Sequence, residues 1–446
     1  MTNMRKIGRL AVVLLVSALA LSACESLNPF SKKKEAALPG ERIPVLQDGS
    51  AITPDPKLKD LTIALPKPRV NPAWPQAGGY PSHAMYHLAL APKPSQAWRV
   101  SIGSGSSKSR RLTVQPVIGG GRIYSMDARA VVRAFDAKSG NSLWENKVLP
   151  KEEKDANLSG GVAFDKGRLY VATGAAEVLA LDAGTGKEIW RVKAGAPMRS
   201  APTVGGGRVY VVTVQNELIA FAVKDGKELW RHAGLPETAG FLGSASPAYA
   251  NGILIVPHTS GEIYALRANN GRQLWTDTIA SVRRVTAVAA LTHIRGHPVI
   301  DRGRVYVVSH SGRLAAIDLR TGNRVWDIDV GALQMPWVAG EFVFVLTNDG
   351  KLAALRRDNG RVKWVTELLR YVDKRKRDKT IFWVGPVLAG DRLVVSGSHG
   401  EVLSVSPYSG KVLGWLRMSE GVLVPPLVAS GTLYILDDDG DLSAYR

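Results

Sequence analysis

Cysteine is almost missing from this chain: Cys24 is the single one in 446 residues. That excludes a disulfide framework and any metal site built on thiolates. Acidic residues are scarce as well, 39 against 58 Lys and Arg, for a formal charge of +19. The apolar run near the N-terminus, residues 10–20, is too short to cross a bilayer comfortably as a helix. Catalytic signatures are missing too, with no Gly-x-Ser-x-Gly elbow and no Walker loop. The glycine runs 119–121 and 205–207 read as hairpin turns, not as phosphate cradles. His293 and His297 stand four apart, but their stretch reads as loop and strand entry, so a metal site is not expected there. His258, His310 and His399 fall near strand ends beside Ser and Gly and are expected to be surface or turn residues.

What the chain has is a repeat. An apolar strand runs into a tight turn ending in Gly, and a Trp follows four residues later. Copies occupy residues 131–144, 178–190, 218–230, 263–275, 314–326 and 352–364, and a seventh at 402–415 has its Trp displaced by one position. The turn glycines are Gly140, Gly186, Gly226, Gly271, Gly322, Gly360 and Gly410, and a period of about 40–50 residues predicts a β-propeller. Gly supplies the left-handed backbone such a turn needs. Asp136, Asp182 and Asp318 stand where a carboxylate accepts from turn amides. Each Trp is expected to bury its ring between neighbouring blades.

A second element confirms the count. A Pro or small residue, an apolar strand, a Gly-containing turn and another apolar strand recur eight times between residues 116 and 434. The eighth copy runs out of chain before its outermost strand. Residues 97–101, around Trp98, read as a Trp strand without its preceding turn. The expected fold is all-β: an eight-bladed propeller of four-stranded antiparallel blades over residues 97–446, its last blade completed by the N-terminal strand. Such closure leaves no long free edge.

Residues 1–23 read as an export signal, with Arg5, Lys6 and Arg9 ahead of the apolar run. Leu21-Ser22-Ala23-Cys24 resembles the lipobox of bacterial lipoproteins. The resemblance implies acylation of Cys24, which then becomes the mature N-terminus. Several acyl chains hold a protein stably on a membrane without a spanning helix. Residues 24–96 read as a tether and extended arm, basic at 32–34, with enough apolar residues in 71–90 to lie on the folded body. Two insertions, 280–297 and 368–379, interrupt the repeats, and the second carries the basic run 374–377. Three positive charges lie in the signal, leaving the mature chain near +16. For an exported protein that charge points to acidic membrane surfaces and acidic protein partners, not to nucleic acid.

The Ala-x-Asp-x-x-Thr-Gly-x-x-x-Trp pattern of residues 180–190 and 316–326 resembles the docking repeat of quinoprotein dehydrogenases, which hold pyrroloquinoline quinone (PQQ) and Ca²⁺ near the propeller axis. The likeness covers blades only: a vicinal cysteine pair is ruled out by composition, and no set of calcium ligands is evident. Lipobox, basic tether and eight repeats together resemble the BamB family, lipoprotein scaffolds of the outer-membrane β-barrel assembly machinery. That resemblance implies a non-enzymatic protein without a cofactor, anchored to the outer membrane and facing the periplasm. It implies docking on the POTRA domains of BamA, contact with other assembly-complex subunits, and help for unfolded outer-membrane clients. Its partner surface would be two adjacent loops, residues 235–243 and 292–297. Phe241 falls where the family has an apolar contact and Leu242 where some members carry Arg. His293 and Arg295 fall where some members carry acids. The rival expectations are a periplasmic quinoprotein oxidising alcohols or sugars, and a propeller binding cell-wall polymer.

Overall fold

A computed structural model describes residues 52–150, 160–236, 243–279, 293–373 and 375–446. They form eight four-stranded antiparallel sheets and one small hairpin, Tyr371–Asp373 with Asp378–Thr380. No α-helix occurs among the described residues; a 3₁₀ turn spans Pro56–Leu58. Blade 2 shows the plan, with strands Gly161–Asp165, Arg168–Ala172, Glu177–Asp182 and Glu188–Lys193 in sequence order from the axis outward. The two middle strands are buried on nearly every residue, because a neighbouring blade covers each face. That is why they read as apolar runs and not as alternating strands. The outer strand is more open, with Glu188 and Ile189 exposed ahead of buried Trp190.

The repeat turn works as its residues predict. Asp182 accepts from the amide and hydroxyl of Thr185 at 2.8 Å each, and Asp136 and Asp318 do the same for Ser139 and Thr321. Gly186 follows at φ 73°, and the ring of Trp144 from the preceding blade lies directly on it. A Cβ there would meet Trp144 Cε3 at 2.5 Å. The indole Nε1 donates to Ala183 O at 3.1 Å, and the ring tilts against Tyr124 with centroids 6.0 Å apart. The same docking joins Trp98 to Gly140, Trp190 to Gly226, Trp230 to Gly271, Trp275 to Gly322, Trp326 to Gly360 and Trp364 to Gly410. Gly186→Ala is therefore expected to destabilise the ring by about 2–4 kcal/mol, combining left-handed strain with a displaced indole. A urea titration followed by Trp fluorescence reads it, and an unchanged midpoint would count against this docking account.

The closing blade is built from both chain ends. Gln96–Ser101 pairs antiparallel with Asp441–Tyr445, with Trp98 opposite Ala444 and Val100 opposite Leu442. This arrangement also explains the displaced Trp of the seventh repeat. In seven outer strands the Trp sits opposite a middle-strand Ala, as Trp190 does opposite Ala180. In blade 7 that register position holds Gly414, opposite Ser404. A Trp there would dock on the outer turn of blade 8, and blade 8 has no such turn because its outer strands come from opposite ends of the chain. A Cβ on Gly414 would meet nothing within 4 Å, while Trp415 turns outward, 70% exposed. A groove of about 560 Å³ remains at this seam, lined by Pro92, Leu413, Trp415 and Tyr445.

The arm ahead of the propeller departs from an extended tether. Residues 71–88 run once around the axis and bond to or beside the innermost strand of every blade. Ser430 N–H donates to Asn71 O, Trp74 and Ile118 exchange backbone bonds, and Phe164 N–H donates to Pro75 O. The Gln76 amide pairs with both backbone groups of Val204. Tyr249 N–H donates to Pro81 O, Ile300 N–H to Ser82 O, the Trp337 indole to Tyr86 O, and Leu88 N–H to Leu388 O. The physical cause is edge satisfaction: eight innermost strands point unpaired backbone groups at the axis, where they need partners. Trp74, Met85 and Leu88 join the main hydrophobic core, and Trp74 stacks on Trp337 at 6.3 Å.

Candidate functional site

The loops that lead from the outer strand of one blade to the inner strand of the next gather at one end of the axis. There they enclose a partly open cavity of about 110 Å³, floored by Trp74, Ala77 and Gly78 of the arm. Arg199, Ser200, Gly243, Ser244, Arg295, Gly296 and His297 lie on its wall.

Two of these loops touch. Ser246 N–H donates to His297 Nδ1 at 2.8 Å, and a Cβ on Gly243 would stand 3.4 Å from Arg295 Nε. Their stems are held firmly. Asn216 donates to Leu235 O at 2.7 Å and accepts from Thr259, while Leu235 N–H donates to Glu262 at 3.2 Å. On the second loop Ile294 is fully buried in the core between blades 4 and 5, and His310 N–H donates to His293 O at 3.0 Å.

Phe241 and Leu242 lie outside the described residues, as do 280–292 of the first insertion. His293 is buried, at 1% exposure, and desolvation together with Arg295 and Arg199 lowers its pKa to about 4. Arg295 lines the axial cavity, and burial lowers its pKa. Leu235, which the sequence does not single out, is 60% exposed at the foot of the first loop. The only sequence signal for it is an apolar residue beside Pro236 after the outer strand has ended.

The expected surface character of His258 is a correction: it is fully buried, edge-on to Tyr264 at 5.3 Å. It closes the strand turn over Gly234, and that position is covered by the neighbouring blade. His310 sits beside Asn348, and His399 is packed edge-on against Trp383. The second insertion forms the small hairpin, on which Val372 is exposed and which carries Arg375, Lys376 and Arg377; Phe382, just beyond it, is exposed as well.

A quinone with its calcium does not fit this axis. The cavity is smaller than the ~150 Å³ that holds one benzene ring, and among the described residues no carboxylate lies on its wall. Among the described residues no group of three His, Cys, Asp or Glu comes close enough to hold a metal.

A family described as outer membrane protein assembly factor BamB matches residues 128–366 and 375–446. The chain belongs to the BamB family. Curated BamB relatives agree over most of their length. The chain is 30% identical to outer membrane protein assembly factor BamB of Salmonella typhimurium over 358 residues, covering 79% of this chain and 88% of the relative. For that of Alkalilimnicola ehrlichii the figure is 35% over 350 residues, covering 78% and 87%. Among solved structures, BamB from Moraxella catarrhalis superposes with a TM-score of 0.67 at 19% identity, covering 79% of this chain and 99% of that one. About a fifth of this chain therefore has no counterpart there. Quinohemoprotein alcohol dehydrogenase from Comamonas testosteroni gives 0.65 at 14% identity, covering 84% and 80%. At these identities the likeness concerns the propeller alone.

Proposed function

We propose that this propeller is a lipid-anchored scaffold in the assembly of outer-membrane β-barrel proteins, acting without bond chemistry. Membership of the BamB family is the observation that carries this reading. Acylated Cys24 holds the chain on the outer membrane, and the ring faces the periplasm. Loops 235–243 and 292–297 dock on the POTRA domains of BamA. The contact of Gly243 with Arg295 and the Ser246–His297 bond support a single composite surface. The exposed Leu235 supports an apolar contact at its edge. His293 serves beneath the surface, holding the second loop, and does not touch the partner. The rigid stems suit a docking platform, since ordered loops lose little entropy on binding. The quinoprotein reading is not adopted, because among the described residues the axial wall carries no acidic ligand set.

Photocrosslinkers placed at Leu235 and at Phe241 in living cells test this. Both are expected to capture BamA, while the same probe at Leu143, exposed on blade 1, does not. Capture of BamA from Leu143 alone would remove these loops from the interface. Capture from none of the three would remove the scaffold reading itself.

A further inference from the structure

Half-buried arginines in this fold are given acceptors. Arg357 donates to Asp301 and to Tyr306, Arg133 to Asp127 and Glu145, Arg191 to Glu177 and Glu188, and Arg313 to Asp327. Arg199 and Arg295 break the pattern. Both line the axial cavity, and neither donates a hydrogen bond to any described residue. Arg199 Nε is buried with no acceptor, and so is the hydroxyl of Ser200, at 3% exposure. Both side chains lie on the wall of this one cavity, within electrostatic range of His293. Among the described residues no Asp or Glu lies on the cavity wall.

A guanidinium stays charged in a protein and presents five donors in a rigid fork. Enclosing two of them beside an unpaired hydroxyl, with no counter-charge, is unfavourable unless something brings the acceptors. We propose that the axial cavity is a binding site for a phosphate-class oxyanion, held by Arg199, Arg295 and Ser200. The geometry sets the class. The space, about 110 Å³, is below the ~150 Å³ of a cavity that holds one benzene ring, so it admits a single phosphate group and not a nucleotide. Planar forks match phosphate oxygens in pairs. The donors are all cationic or neutral, which excludes a metal ion as the occupant. The cavity is partly open, so the group is either free or carried on a larger molecule that stays outside.

The test uses the full-length protein on phosphatidylcholine vesicles, titrated calorimetrically with inorganic phosphate at fixed ionic strength. Saturable one-to-one binding is expected, weakened at least about tenfold by Arg295→Gln or Arg199→Gln. Phosphate should raise the melting temperature of the native chain and leave that of the double variant unchanged. In phosphate-free buffer Arg295→Gln should melt at or above the native temperature, because it removes an unpaired enclosed charge. A second arm replaces part of the lipid with phosphatidylglycerol. A lowered apparent affinity for free phosphate assigns the site to a lipid headgroup, and an unchanged one assigns it to a soluble phosphate. The proposal fails if phosphate does not bind saturably, or if the double variant binds it equally well. It also fails if Arg295→Gln melts well below the native chain without phosphate, since Arg295 would then be a structural residue.

Discussion

A chain ending at Gly440 is expected not to form a closed ring. The deletion removes the strand Asp441–Tyr445, in which Leu442, Ser443, Ala444 and Tyr445 are each at most 6% exposed. It strips Gln96–Ser101 of its only strand partner and opens the edge of Thr432–Leu436. Trp98 then loses the register that places it on Gly140. A single buried Leu→Ala change costs about 2–5 kcal/mol, and a buried aromatic about 3–5. Losing both with a whole ladder of backbone bonds matches the 5–15 kcal/mol that hold a typical domain together. The point variant Leu442→Ala should keep a cooperative urea transition at a lower midpoint. The truncated chain should show none, and should aggregate through its free edges. If the truncated chain unfolds cooperatively near the native midpoint, closure by the chain ends is not what secures the ring.

That seam was legible before any coordinates, and so was the blade count. The reason is that each device is local in sequence. A turn Gly, the Asp before it and the Trp after it lie within a dozen residues, and their physics does not depend on distant partners. The displaced Trp415 was visible as an irregularity, but its cause was not. It follows from which blade lacks an outer turn, and that is a property of the closed ring. The axial coil of residues 71–88 was hidden for a related reason. Its bonds go mainly to backbone groups of eight strands far away in sequence. Edge pairing of that kind selects no side-chain type, so it leaves no pattern to read. The loop residues divide similarly. The pairing of two loops across one axis end is consistent with where the resemblance sets them. The inward placement of His293 and the cavity position of Arg295 depend on how blades 4 and 5 pack, through Ile294. His258 misled because a strand end is exposed in an isolated sheet but covered in a ring of sheets.

Mild acid is expected to weaken the fold steeply, and the cause is a set of enclosed histidines. His83, His258 and His293 are at most 2% exposed, and desolvation is the leading cause that lowers their pKa values to about 4, 3 and 4. Neighbouring charge adds to this for two of them: His232 beside His258, and Arg295 with Arg199 beside His293. His297 shifts in the same direction, to about 3, with His83 and Arg295 adding to its desolvation. Its Nδ1 already accepts from Ser246 N–H, so protonation there would set two N–H groups against each other. At pH 7 these rings are neutral in folded and unfolded chains alike, and they contribute nothing to the pH dependence. Below the unfolded value of about 6.5 the unfolded chain takes up protons that the folded chain refuses. Stability then falls as pH falls, and it goes on falling until the folded values are reached. At pH 5 each of the four rings accounts for about 2 kcal/mol, and the four together for about 8. Asp165, Asp437 and Asp438, whose carboxyls burial pushes up, act in the opposite sense. Urea midpoints measured at pH 7.0 and 5.0 should therefore drop sharply, and His258→Leu should recover about a quarter of the loss. A midpoint that stays level over this interval would mean that the rings find protons, or water, without the ring of blades opening.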